Sequence, residues 1–157
     1  MNELNLNIYN NLIKLTRNKN LYLKLDKQDT FSDRLIILFF HFGFFLKYYK
    51  NIVSKKKAQN LFDFFIKQIE LSIREIGYGD VSVNKKMKEY VNLFYSIIDK
   101  IEIWESLDVK KRSIIIENFL NLSNDKGFYA EYFENYRKFL TENTLNNFTK
   151  DILNLKF

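Results

Sequence analysis

Apolar residues follow helical spacing along most of this chain. Leu4, Ile8, Leu12 and Leu15 line one face of a first amphipathic helix. The run Arg17-Asn-Lys-Asn20 interrupts it, and Leu21, Tyr22, Leu23 and Leu25 read as a short second helix or a turn. Residues 35–46 (LIILFFHFGFFL) then depart from the amphipathic pattern, since these twelve positions carry no charge. Apolar side chains on every face predict a helix buried all round. A bilayer span needs about 20 apolar residues, so the run is too short to cross a membrane, and Arg34 and Lys47 fence it at both ends. A buried strand is the rival reading, because Phe and Ile suit strands, but strands usually run to about 5–6 residues. The pattern predicts a central helix over 30–50, with Asp29-Thr30 offering its N-cap.

Beyond it, Ser54 is a candidate cap for a helix over 58–76, whose apolar face carries Leu61, Phe62, Phe65, Ile66, Ile69, Ile73 and Ile76. Asp63 stands four before Lys67 and Glu70 four before Arg74, the favourable order for charge pairs on a solvated face. Gly77 fits the residue after a helix, where a positive φ is cheap for glycine. Ser82 or Asn84 can cap the next helix, over about 83–100. Met87, Tyr90, Val91, Phe94, Ile97, Ile98 and Ile101 line its inner side, and Lys85, Lys86 and Lys88 crowd its first turn against the helix dipole. Trp104 and Leu107 suggest a short helix or turn. Asp108 can cap a helix through Leu122, and Asn124-Asp-Lys-Gly127 reads as a turn. An aromatic stripe follows (Phe128, Tyr129, Tyr132, Phe133, Tyr136, Phe139), from which some tyrosine hydroxyls should reach solvent. Thr144 can cap a last helix carrying Leu145, Phe148, Ile152 and Leu153.

Composition sharpens this picture. The 157 residues favour one domain and contain no proline, which permits helix nearly everywhere. The expected fold is an all-α, single-domain bundle of about six to eight helices around the central buried one. The 16 Phe and 10 Tyr supply large packing surfaces. The start, Met-Asn-Glu-Leu-Asn-Leu, lacks the basic and apolar regions of a signal peptide, which places the protein in the cytoplasm, with contact to a membrane surface allowed. A net charge of +6 favours anionic partners or simply solubility. Residues 47–57 hold Lys47, Lys50, Lys55, Lys56 and Lys57 without an acid, which suits phosphate contacts or a solvated helix connection.

Chemistry finds little support in the residues. The chain has no cysteine and one histidine, too few for a common zinc or di-iron site. His41 lies in the most apolar stretch, where a neutral, hydrogen-bonded imidazole is expected. A structural or binding role, or haem ligation, is its functional alternative. Gly77-x-Gly79 follows a predicted helix, whereas dinucleotide and phosphate-binding glycine motifs follow a strand. No enzyme, metal, cofactor or small-molecule substrate is expected.

The ordered text Asp29-Thr30, Arg34, His41, Ala58-Gln-Asn-Leu-Phe-Asp-Phe-Phe65, Arg74-Glu-Ile-Gly-Tyr-Gly-Asp-Val81, Val83-Asn-Lys-Lys-Met-Lys88 and Phe94-Tyr95 resembles the ubiquinol–cytochrome c chaperone family. The resemblance is strongest over 29–95. Asn84 stands where members often carry proline, Phe40 where they carry leucine, and Lys86 where they carry arginine. The resemblance implies a non-enzymatic assembly factor for complex III, linked to newly made cytochrome b at the inner membrane or the ribosome. Such a role requires an exposed apolar groove beside a basic rim, for which Lys55, Lys56, Lys57, Lys85, Lys86 and Lys88 are the candidates. Asp29, Arg34, His41, Gly79 and Asp80 match family positions and serve either binding or the fold. A basic all-α nucleic-acid-binding protein is the alternative function. It would need a basic recognition helix. An all-α enzyme would need a buried pocket with converging acids.

Overall fold

Helix caps written into the chain set most of its architecture. A computed structural model describes residues 3–23, 25, 30–122 and 127–150. They form α1 (Glu3–Thr16), α2 (Phe31–Tyr49), α3 (Lys55–Ile76), α4 (Asp80–Glu102), α5 (Val109–Leu120), α6 (Phe128–Glu142) and α7 (Leu145–Lys150). Short 3-10 turns stand at Lys19–Leu21 and Trp104–Ser106, and no strand occurs among the described residues. Thr30 opens α2 with a reciprocal box: its hydroxyl accepts from the Asp33 amide and the Asp33 carboxylate accepts from the Thr30 amide, both at 3.2 Å. Ser54 caps α3 through the Lys57 amide (3.2 Å) and Asp108 caps α5 through the Lys111 amide (2.8 Å). Asp29, Asn124, Ile152 and Leu153 lie outside the described residues.

Residues 35–46 of α2 are all buried, as a helix apolar on every face requires. They pack against α1, α3, α4, α5 and α6, so the described elements share one continuous core. Phe42 is the pivot of the α2–α3–α4 contact, its ring stacked 3.8 Å from Phe65 and 5.3 Å from Phe94. Gly43 lets α4 come close, since a Cβ there would lie 2.5 Å from Ile101 Cδ1. At the far edge of the bundle the Asn11 amide donates to the carbonyls of Phe148 and Thr149, each at 3.2 Å, tying α1 to α7.

Five sequence expectations need correction. The fourth helix starts at Asp80, three residues early, so neither Ser82 nor Asn84 caps it. Gly79 holds the cap position without a side chain, and Asp80 complements the positive helix end while pairing with Arg74 across the turn. Lys85, Lys86 and Lys88 therefore fall beyond the first turn, where the dipole no longer opposes them. Asp63 bonds Gln59 and Lys67 turns to Glu70, so of the two expected pairs only Glu70–Arg74 forms, at 3.3 Å. Ile76, expected on the inner face, is 54% exposed because α3 ends there and no neighbour covers it. Finally, the hydroxyls of Tyr129, Tyr132 and Tyr136 do not reach solvent. These side chains are buried, and their hydroxyls bond the Leu21 carbonyl, the His41 ring and the His41 carbonyl respectively.

Gly77 ends α3 at φ 106°, where an L side chain is strained although space is open. Gly77→Ala is expected to cost about 1–2 kcal/mol in urea unfolding, with the helical circular dichroism spectrum unchanged. A neutral result would show that the turn relaxes out of the left-handed region.

Candidate functional site

Two local features meet at the α2–α3 junction. α2 ends at the buried Tyr49 and Lys50 caps it, and α3 begins with three lysines and no acid in its first turn. The positive end of the α3 dipole adds to those lysines. α3 and α4 run antiparallel about the Gly77–Gly79 turn, and the ring contacts Phe62–Phe94 (6.0 Å) and Phe62–Tyr95 (6.1 Å) fix their register. This register brings the C-terminal half of α4 over the start of α3. A groove of about 440 Å³ opens there, with Leu46, Ala58, Phe62 and Ile98 as its apolar floor and Tyr95 on one wall. Lys50, Lys55 and Gln59 complete the lining. Lys56 and Lys57 stand exposed on the same helix end. Lys47 instead turns to the C-terminal carbonyls of α4, lying 3.4 Å from that of Ile101 and 3.5 Å from that of Glu102.

The other three candidate lysines are elsewhere. With Phe62 opposite Phe94, Lys86 lies level with the last third of α3, about 20 Å along the hairpin from Lys56. Its ammonium sits 4.6 Å from the Tyr78 ring centre, an attraction of cation for aromatic face. The structure thus places Lys55, with Lys50, in the lining of this groove, leaves Lys56 and Lys57 exposed on the same helix end outside that lining, and leaves Lys85, Lys86 and Lys88 near the hairpin tip. Ile76, Tyr78 and Val81 are exposed at that tip. Gln59, Phe62, Tyr95 and Ile98 were not singled out as site residues from the sequence. Tyr95 could have been, because it stands one place off the inner stripe of α4 yet is aromatic.

A ubiquinol–cytochrome C chaperone model matches residues 23–108, more than half of the chain. The chain belongs to that family. No curated protein and no solved structure matches it. Membership in the ubiquinol–cytochrome C chaperone family makes the chain an assembly chaperone of the complex III system and implies a role without catalysis. No helix among the described residues is long and apolar enough to cross a membrane, and no group of His, Asp or Glu among them is placed to hold a metal ion.

The family-motif positions of this chaperone serve different ends. His41 is fully buried. Its Nδ1 lies 2.9 Å from the Ile37 carbonyl, which can only accept, so Nδ1 carries the proton and Thr16 Oγ1 stands 3.3 Å away. Nε2 is then the acceptor for the Tyr132 hydroxyl at 2.7 Å. Burial pulls the pKa of His41 down to about 3, although the bond to Ile37 opposes the shift. The ring is a neutral clamp between α1, α2 and α6, and both of its nitrogens are engaged. Gly79 and Asp80 close the α3–α4 turn through Arg74. Arg34 lies 5.7 Å from the Tyr22 ring centre and lines a cleft beside α1.

Proposed function

We propose that this chaperone holds apolar segments of cytochrome b while complex III is assembled, and that the groove at the α2–α3 junction takes them. The observation that carries the reading is the pairing of an apolar floor with a lysine mouth. A segment destined for the membrane carries apolar side chains in place of the surface charges of a soluble protein, and the half-exposed Tyr95 with the partly buried Phe62 and Ile98 offers them apolar anchors. A cavity of this size takes one or two large side chains, so an elongated client would engage more surface than the groove alone. Lys55, Lys56 and Lys57 would meet client carboxylates, anionic headgroups or ribosomal RNA. Lys85, Lys86 and Lys88, beside exposed Tyr78 and Val81, would add a second contact to an anionic inner-membrane surface. The protein would then act from the cytoplasm as a peripheral component. The one continuous core supports reading residues 1–157 as a single domain. With the lysines split between two ends of a hairpin, no single basic recognition helix favours the nucleic-acid alternative.

In-cell photocrosslinking from positions 56 and 86, read by mass spectrometry, tests the proposal. Cytochrome b is expected in the adducts from position 56, and deletion is expected to lower the haem absorbance of complex III. The variant Tyr95→Glu should lower it too while the protein melts as before. Adducts without cytochrome b, together with intact complex III after deletion, would overturn the reading.

A further inference from the structure

We propose a second binding site, independent of the client groove, that takes a small amphipathic anion: an unbranched acyl chain ending in a carboxylate or phosphate head. The site lies near the N-terminal end of α2, in a cleft of about 430 Å³ between α1, α2 and α3. An adjoining cleft of about 360 Å³ shares Tyr9, Ile13, Arg17 and Ser72 with it. The two adjoin, and each lies within the size range of small-molecule sites.

Its inner wall is apolar. Ile13, Phe31, Leu35, Leu38 and Ile69 face it. Phe31 is left 40% exposed at the first residue of α2. The hydroxyls along the wall are engaged within the protein. Tyr22 donates to the Thr16 carbonyl, Ser72 to the Gln68 carbonyl, and Thr16 faces the His41 ring. A ligand inside the larger cleft therefore meets mostly hydrocarbon, whereas the smaller cleft adds Asn10 and Lys14 and is the more polar of the two, which selects an apolar body with a polar end.

The rim carries the opposite chemistry. Arg17, Lys19 and Arg34 line the larger cleft, and Lys14 lines the smaller one. No carboxylate among the described residues lines either, and none pairs with Arg17 or Lys19. Glu75 is the acid near enough to act on the Tyr9 hydroxyl. Arg17 directly follows the last residue of α1, so its cation also complements the negative end of that helix. An apolar cleft with cations at its mouth matches a ligand whose apolar body ends in one anionic head, and matches neither a neutral lipid nor a bare anion.

Calorimetric titration of the full chain with octanoate, decanoate and dodecanoate tests this, each below its micelle concentration. Each added methylene is expected to tighten binding about fourfold until the cleft is full. Dodecanol should bind about tenfold more weakly than dodecanoate, because it lacks the charge-assisted contacts. The double variant Arg17→Glu, Lys19→Glu should weaken dodecanoate by about tenfold and leave dodecanol unchanged. Ser72→Trp should block both, whereas Tyr95→Ser in the other groove should change neither. Dodecyl phosphate then identifies the head. Tighter binding than dodecanoate supports the site with a phosphate head, and weaker binding supports it with a carboxylate head. Equal affinity for dodecanol and dodecanoate, binding that survives Ser72→Trp, or acetate binding as well as dodecanoate would each overturn the proposal. Thermal melts of each variant identify loss of fold.

Discussion

Truncating Phe42 to alanine is expected to lower the unfolding free energy by about 3–5 kcal/mol. The ring is fully buried, and it is stacked against Phe65 and Phe94 at once. Its loss removes apolar burial and opens a cavity where three helices meet. The neighbours are large, rigid rings on separate helices, so the void closes poorly. Domains of this kind are commonly stable by only about 5–15 kcal/mol, so such a loss is a large share of the total. Urea unfolding at neutral pH is the measurement. Tyr95→Ala is the control, since that side chain is half-exposed and its removal should cost about 1 kcal/mol or less. A Phe42→Ala loss as small as that control would mean Phe39 or another ring refills the space, and that Phe42 is not the pivot of the core.

The second large effect is a pH dependence carried by one residue. His41 is the only histidine, with an ordinary value of 6.5 and a folded value of about 3. Between these values the unfolded chain binds a proton that the folded protein excludes. Stability contributed by the neutral ring is thus complete above 6.5, falls as the pH drops below it, and stops falling near the folded value. From pH 7 to pH 5 the expected loss from His41 alone is about 2 kcal/mol. Ordinary carboxylates titrate lower, near 4, and contribute little in this window. His41→Gln keeps an acceptor for the Tyr132 hydroxyl and should flatten the profile between pH 7 and 5, whatever it costs at neutral pH. A wild-type profile that is already flat there would show that the clamp opens and lets the ring take its proton.

Local signals were legible in the sequence and long-range ones were not. Thr30, Ser54, Asp108 and Gly77 announce helix boundaries because capping is decided within a few residues. The buried helix α2 was legible because its twelve uncharged positions leave no face for water. The start of α4 was not, since glycine carries no capping side chain and the pairing of Asp80 with Arg74 crosses a turn. The buried tyrosines of α6 were misread for a similar reason. Their acceptors are carbonyls and a ring on α2 and on the 3-10 turn after α1, which no helical spacing reveals. The lysine clusters were visible as clusters, yet only the register of α3 on α4 shows that they stand at opposite ends of one hairpin. Both clefts arise from three elements meeting, so neither has a signature within any single stretch.

The clasp of Asn11 on Phe148 and Thr149 joins residues 137 and 138 positions apart. Synthesis runs from the N-terminus, so α1 leaves the ribosome long before Phe148 and Thr149 do. Until then the Asn11 amide lacks these two carbonyl partners, and the edge of α1 that packs on α7 stays open to water. The family-matched stretch, 23–108, contains neither half of that clasp and lacks the Tyr132 partner of His41. Maturation of this helper therefore waits on α7, and a nascent copy whose synthesis has not passed residue 149 has yet to complete the fold that would serve another chain.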